Sequence, residues 1–482
     1  MSDREPEDSL PLLPARFRLT PEFRLLLASG WIAPEGPPHQ RVGRDIPNPP
    51  SKLDRECGAL GITRPTPYAK TQAETVRDAR PTPYAQTQAE RVREARPTPY
   101  AQTQAERVGA ACHDGIDWDV FLSLVDRHRV LVPHDTLRRA LGDRLPCPVY
   151  EQLKSRNAEA CRQTLRQAAE LVRLNMEFSA HGFEMIPLKG VMLSVQLFHD
   201  PAMRSTRDLD LLVRPERLDE ADQILRRDGY RLVSPDCELT PRRKKWLLRA
   251  SHHFGYTHDQ RHQLVELHWR LHQWKPEHVA ELWDNCQTKT WMEAGFLTLK
   301  DDALLLFLCD HGSKHQWRRI KWLADVAALL AQERNLSWDN VLALADRFDL
   351  SRPLAESGLL VHWLYGIRLP EPLVDLIARQ ESASDMASQS VEAMLLSEKA
   401  QFTLSVRLKS AMSLGRSRER LPLGMSFRSC LLSTDEFKEF PLPDRLFWLY
   451  FPLRPLLWFY HHYIKRKALW RDGGAKEVAG ID

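Results

Sequence analysis

The chain has 482 residues, 43% of them hydrophobic and 27% charged, with Lys plus Arg at 68 against Asp plus Glu at 64. These proportions belong to a soluble globular protein and exclude global disorder and a polytopic membrane protein. The net charge of only +4 gives no argument for DNA binding, and eight cysteines never closer than 14 residues exclude a CxxC metal knuckle and a compact disulfide framework.

Reduced thiols and an acidic start, Met1-Ser-Asp-Arg-Glu-Pro-Glu-Asp8, with no signal-type apolar run behind it, make the cytoplasm the expected compartment. Sixteen of the 33 prolines precede Val108, which sets the first 108 residues apart. Residues 1–63 form an arm with one expected helix at 19–31, where Thr20 caps, Pro21 suits the first turn, and Phe23, Leu26, Leu27 and Trp31 recur at helical spacing. A Pro-rich linker follows it.

From Arg64 a 16-residue unit repeats almost unchanged: RPTPYAKTQAETVRDA, RPTPYAQTQAERVREA and RPTPYAQTQAERV, ending at Val108. Each unit offers only Tyr, Val and small alanines as apolar groups, while ordering each residue costs about 1–2 kcal/mol of backbone entropy. Residues 64–108 are therefore expected to be a disordered or transiently helical spacer, and its deletion is expected to leave activity intact.

Ordered sequence is expected to resume near Ile116 and to build an N-terminal helical lobe over 112–180. A helix begins at Trp118, and a longer one over 151–180 is expected to turn Leu165, Ala169, Leu171, Leu174 and Met176 inward. The period then changes. Residues 183–188, 208–213, 230–233, 254–257 and 264–271 read as strands, with helices at 191–198 and 217–228, which describes a small mixed α/β sheet over 181–275. After Pro276 the pattern predicts an all-helical lobe to residue 400, with helices at 303–309, 320–330, 338–348 and 354–365. The last part, 401–482, is basic and aromatic. Its apolar stretch 446–460 is broken by Pro452, Arg454 and Pro455 and is too short to span a bilayer; it reads as a helix packed on the core, with peripheral membrane contact through 445–467 as the alternative.

The chemistry concentrates in Arg204-Ser-Thr-Arg-Asp208-Leu-Asp210-Leu-Leu-Val213. Residues two apart on a strand share a face, so Asp208 and Asp210 project together while Leu209 and Leu211 face the core. Paired carboxylates repel unless a cation lies between them, and Mg²⁺ (or Mn²⁺) takes one or two carboxylates with water and phosphate. On the segment 264–269, Glu266 and His268 share a face, so a third carboxylate can complete a two-metal site. Gly190 opens a helix behind Lys189, where free backbone N–H groups attract an anion. Lys314, His315 and Arg318 form a polar face within reach of a triphosphate, although a solvated face explains them equally. His311 and His315 lack the glutamate of HExxH. The histidines at 252, 253, 258, 262, 268 and 272 make a zinc hydrolase conceivable, against which their irregular spacing argues.

The run LKG, a helix, RxxxDLDLLV, a helix, GY, and a strand ending ELHW resembles the uncharacterised nucleotidyltransferase family of the DNA polymerase β superfamily. The similarity extends to Ile116-Asp-Trp118, His128-Arg129, His311-Gly-Ser-Lys-His315 and Trp322-Leu-Ala-Asp325, and so covers roughly 112–365. It implies a polymerase β-type core between helical lobes, and metal-dependent transfer of a nucleoside monophosphate from an NTP to an acceptor hydroxyl with release of pyrophosphate. In that scheme Asp208 and Asp210 hold the nucleotide metal, Glu266 helps bind a second metal, Lys189 and Gly190 sit at the triphosphate, and Arg204 helps neutralise it. Where the wider superfamily has Gly-Ser or Gly-Gly, Val191 follows Gly190, and 17 residues separate Gly190 from Asp208. The alternative is a catalytically inactive nucleotide-binding or scaffold protein. A small molecule, sugar, RNA end or protein side chain can each be the acceptor.

Overall fold

The computed structural model describes Leu10, Leu13, Pro14, Phe17 and residues 19–30, 106–112, 115–271, 274–332, 336–396 and 434–459. Most of the repeat array, the basic stretch 401–420, the tail beyond 459 and His272 lie outside the described residues. The last three residues of the array do not: 106–111 are helical and Val108 is fully buried in the helical core. The expected boundary at 108, and the expectation that order resumes near Ile116, are thereby corrected, because Val108 contributes an apolar side chain to a core that the repeat units alone could not form.

Helix α1 (Pro21–Gly30) starts where Phe23 N–H donates to Thr20 Oγ1 at 3.3 Å, and it buries Phe23, Leu25 and Leu26. It lies against α2 (Trp118–His128), whose N-cap Asp117 accepts from the N–H groups of Asp119 and Val120. After α3 (His134–Leu141) comes the 34-residue α4 (Cys147–Ala180). Leu171 and Leu174 face inward as expected, but Leu165, Ala169 and Met176 are exposed, with Leu165 and Met176 at 54% and 63%. The buried stripe runs instead through Thr164, Gln167, Ala168, Leu171, Leu174, Asn175 and Phe178. Two of its polar members are bonded: Glu170 accepts from Arg173, Tyr230 and Arg261, and Asn175 donates to the Gly295 carbonyl at 3.0 Å.

The sheet has the order β1-β2-β5-β4-β3: β1 (Ile186–Pro187), β2 (Leu209–Leu212), β3 (Arg231–Ser234), β4 (His253–His258) and β5 (Gln263–His268). Only β2 and β5 run parallel; the other pairs are antiparallel. Helix α5 (Gly190–Phe198) joins β1 to β2, α6 (Leu218–Arg227) joins β2 to β3, and α7 (Pro241–Ala250), which the sequence did not suggest, precedes β4. One face of the β2–β5 pair, Leu209, Leu211, Val265 and Leu267, packs into a core shared with α4 and α6, to which Phe437, Tyr450 and Leu457 of the C-terminal segment are added. The other face carries Asp210, Leu212, Glu266 and His268.

The lobe after Pro276 is not all helical. Between α8 (Pro276–Asp284) and α9 (Asp301–Lys314) stands a hairpin of β6 (Cys286–Trp291) and β7 (Ala294–Leu299). Its polar first strand, CQTKTW, buries little, while Phe296 and Leu299 of the second are buried. Helices α10 (Ile320–Ala331), α11 (Trp338–Arg347), α12 (Ser351–Tyr365), α13 (Glu371–Arg379) and α14 (Ala383–Leu395) complete the lobe. The segment with α15 (Thr434–Glu439) and α16 (Tyr450–Phe459) rests on α7, where Trp246 meets Phe447 and Phe451. No helix of the described residues is long and apolar enough to cross a membrane.

His128 fastens three helices together. Its ring meets Phe23 of α1 edge-on at 5.6 Å, and its Nδ1 accepts from Ile320 N–H at the start of α10 at 3.2 Å. Burial, reinforced by Arg127 and Arg319, pushes its pKa down to about 3. The unfolded chain takes up the proton first, so the stability held by neutral His128 is complete above about pH 6.5 and is lost as pH falls toward 3, at up to ~1.4 kcal/mol per pH unit. Urea unfolding of wild type and His128→Gln should therefore show a variant penalty that shrinks as pH falls through this window. A penalty independent of pH would contradict this account of His128.

Candidate active site

The site is assembled by strand register. In the parallel β2–β5 pair Asp210 lies opposite Glu266, and His268 follows two residues later on the same face. Leu188 N–H donates to the Asp210 carbonyl at 3.0 Å, which sets the next residue, Lys189, beside the carboxylates. The Lys189 ammonium is 3.1 Å from Asp210 Oδ1. His268 Nε2 lies 3.1 Å from the same oxygen and 3.3 Å from Glu266 Oε2. An ionised carboxylate only accepts, so Nε2 carries the proton.

The electrostatics follow from these distances. Burial works to raise the Asp210 pKa, but Lys189 and the His268 hydrogen bond outweigh it and hold the carboxyl far below the ordinary range. Burial also opposes ionisation of Glu266, and His268 again reverses the sign. Asp208 behaves oppositely: burial, then the charge of Asp210, push it up to about 6. Burial would lower Lys189, yet Asp210, Asp208 and Glu266 together raise it.

Gly190 has φ +65° at the first position of α5. A Cβ there would lie 3.3 Å from Thr206 Oγ1, whose hydroxyl donates to the Asp208 carbonyl at 3.0 Å. The turn and the segment that bears the aspartates, Asp208 just before β2 and Asp210 within it, are thus packed as one piece, with the N–H groups of α5's first turn beside them.

Arg204 and Asp325 are both buried, and Arg204 Nε lies 3.0 Å from each Asp325 oxygen. With Arg129 and Lys321 they line a small cavity. Burial, then Arg204 and Arg129, drive Lys321 well below the usual lysine range, whereas Asp208 pulls it back. Lys314 is lowered to about 8 by burial and by Lys189. His315 stacks on Trp322 at 4.9 Å and meets His311 edge-on, which places it in an aromatic stack, and α9 ends before Arg318.

Asp208, Asp210, Glu266, Lys189 and Lys314 are therefore within electrostatic reach of one another, while Arg204 engages Asp325. Among the described residues, Asp210, Glu266 and His268 bring one ligand atom each within 4.8 Å of one another, as do His252, His253 and His268; Asp208 belongs to neither group. Sequence reasoning did not give roles to His268, Lys321 or Arg129. The first carried a legible signal, since it shares a strand face with Glu266; the other two come from α10 and the end of α2, which only tertiary packing brings to the aspartates.

The carboxylate set fits a divalent metal of the Mg²⁺ or Mn²⁺ kind. Its donors are hard oxygens, and Asp210 and Glu266 stand opposite each other on paired strands, where a cation between them offsets their repulsion.

A family model described as uncharacterised nucleotidyltransferase matches residues 114–366, just over half of the chain. No curated protein and no solved structure matches it.

Removing one partner of a buried ion pair leaves an uncompensated charge, a loss on the order of 3–5 kcal/mol. Chemical denaturation of Asp325→Ala should show a destabilisation of that order. A change within ~0.5 kcal/mol would mean that Arg204 is held by something else.

Proposed function

The chain belongs to the uncharacterised nucleotidyltransferase family, and from that premise we propose that it transfers a nucleoside monophosphate from an NTP to an acceptor hydroxyl, with a divalent metal bound by Asp208, Asp210 and Glu266. The observation that carries this reading is the β2–β5 register, which sets Asp210 against Glu266 within one ligand cluster, beside a glycine turn that opens a helix. When bound, the metal supplies charge neutralisation at the phosphates and a more acidic acceptor hydroxyl.

The remaining work falls to the chain's own groups. Backbone N–H groups at the start of α5 and the Lys189 ammonium receive phosphate oxygens. Burial and neighbouring cations lower Lys314 and Lys321, so the negative charge of an arriving polyphosphate favours their protonated forms. Arg204 is fixed by Asp325 and keeps the positive potential in place next to Lys321. His268 holds the Asp210 and Glu266 carboxylates in one orientation through Nε2. In the transfer the acceptor oxygen bonds to the α-phosphorus, the bond from that phosphorus to the bridging oxygen breaks, pyrophosphate leaves, and the hydroxyl proton passes to solvent.

Binding can be tested without knowing the acceptor. A ligand at 100 times its Kd stabilises a fold by ~2.7 kcal/mol, so each Mg²⁺–NTP pair in a thermal-unfolding series should raise the wild-type melting temperature for at least one base. Asp210→Asn and Lys189→Ala should remove that rise. A rise of equal size in both variants, or none for any NTP, would count against a nucleotide at this site.

A further inference from the structure

We infer that His252, His253 and His268 form a binding site for a transition-metal ion of the Zn²⁺ class, next to the carboxylate cluster. The inference concerns metal binding alone and does not depend on the transfer reaction.

The strand pairing builds it. His253 of β4 is the register partner of His268 of β5, and His252 stands immediately before β4, its carbonyl accepting from Trp269 N–H at 3.2 Å. Three imidazoles thus come from two adjacent strand ends that the sheet holds rigidly. Their ring centroids are 4.6 Å apart for His252 and His253, 5.0 Å for His253 and His268, and 5.7 Å for His252 and His268. Imidazoles bound to one tetrahedral ion, with nitrogens ~2.0–2.1 Å from it, place their centroids about 5 Å apart. One nitrogen from each ring already lies within 4.8 Å of the other two.

The nitrogens left over support the same reading. His268 is buried, its Nε2 is committed to Asp210 and Glu266, and its Nδ1 is buried without a hydrogen-bond partner. His253 repeats the pattern: Nε2 is 3.9 Å from Glu266 Oε1, while Nδ1 is buried and unpartnered. An unmade hydrogen bond at a buried nitrogen is costly, and a histidine that ligates a metal usually gives its other nitrogen to a carboxylate. Glu266 and Asp210 are those carboxylates for His268, and Glu266 faces the corresponding nitrogen of His253 as a charge contact at 3.9 Å. Imidazole donors select zinc, copper or nickel over Mg²⁺, so the two ions would sort by ligand type: the hard oxygens to one, the nitrogens to the other. Three protein ligands leave the fourth position of a tetrahedral ion open to solvent, the donor count of a reactive zinc site.

The test uses the full chain, stripped with a chelator and titrated with Co²⁺, whose visible d–d band reports tetrahedral nitrogen ligation. One Co²⁺ per chain should bind with that band, Zn²⁺ should displace it, and excess Mg²⁺ should not. His252→Asn plus His253→Asn should weaken Co²⁺ binding by about tenfold or more, the loss typical even when only a supporting partner of a ligand is removed. Thermal unfolding of the stripped double variant controls for misfolding, and the single His252→Asn, outside the strand ladder, carries the test should the double variant unfold. Absence of stoichiometric binding, or wild-type affinity in these variants, overturns the assignment; the second outcome would put the ion on Asp210, Glu266 and His268 instead.

Discussion

Two carboxylates stand side by side on parallel strands because the β2–β5 ladder pairs Asp210 with Glu266, and the rest of the site exists to make that juxtaposition bearable. Hydrogen bonding between the strands fixes the backbone, while Leu209, Leu211, Val265 and Leu267 on the opposite face anchor it in the core. The side chains cannot separate without breaking one or the other. Compensation comes from the Lys189 ammonium and the His268 N–H, at 3.1 Å each. Asp208, which has no such close partner in this arrangement, is left with its carboxyl raised to about 6. The asymmetry between two aspartates separated by one residue is the electrostatic signature of the site.

The same constraint explains the architecture around it. Lys189 reaches Asp210 only because the β1 end is bonded to β2 through Leu188, and the chain can turn into α5 there because Gly190 adopts φ +65°. The helical lobes contribute the outer basic groups: Arg129 from the end of α2, Lys314 from the end of α9 and Lys321 from the start of α10. These elements are joined through His128 and the Arg204–Asp325 pair, so the packing of the helices sets the potential that the sheet carboxylates experience.

How far this was legible depends on whether the signal is local. The strand bearing Asp210, the partner strand with Glu266, and the glycine turn all declare themselves by alternation and by residue type, and the structure places them side by side, with Asp208 just before the strand. Tertiary effects were not legible. Leu165 and Met176 of α4 look like core residues but are exposed, because the buried stripe runs through Thr164, Gln167, Glu170 and Asn175 instead, of which Glu170 and Asn175 are held by hydrogen bonds to other elements. The β6–β7 hairpin escaped because CQTKTW has neither a β-branched run nor a clear apolar face. Val108 was assigned to the spacer since its repeat unit resembles two others, and nothing local distinguishes the copy that reaches the core. The histidines around Glu266 have no regular spacing, and only the β4–β5 register reveals that 252, 253 and 268 converge whereas 258 and 262 do not.

The central claim is that this cluster moves the α-phosphoryl group with its nucleoside. The direct measurement is transfer of label in a cell extract from NTPs carrying the isotope at either the α or the γ phosphate, with Mg²⁺ present. The account predicts that α-label becomes attached to an acceptor, that γ-label leaves as pyrophosphate, and that Asp208→Ala plus Asp210→Ala abolishes the transfer. Attachment of γ-label, or equal α-labelling by wild type and the double variant, would contradict it.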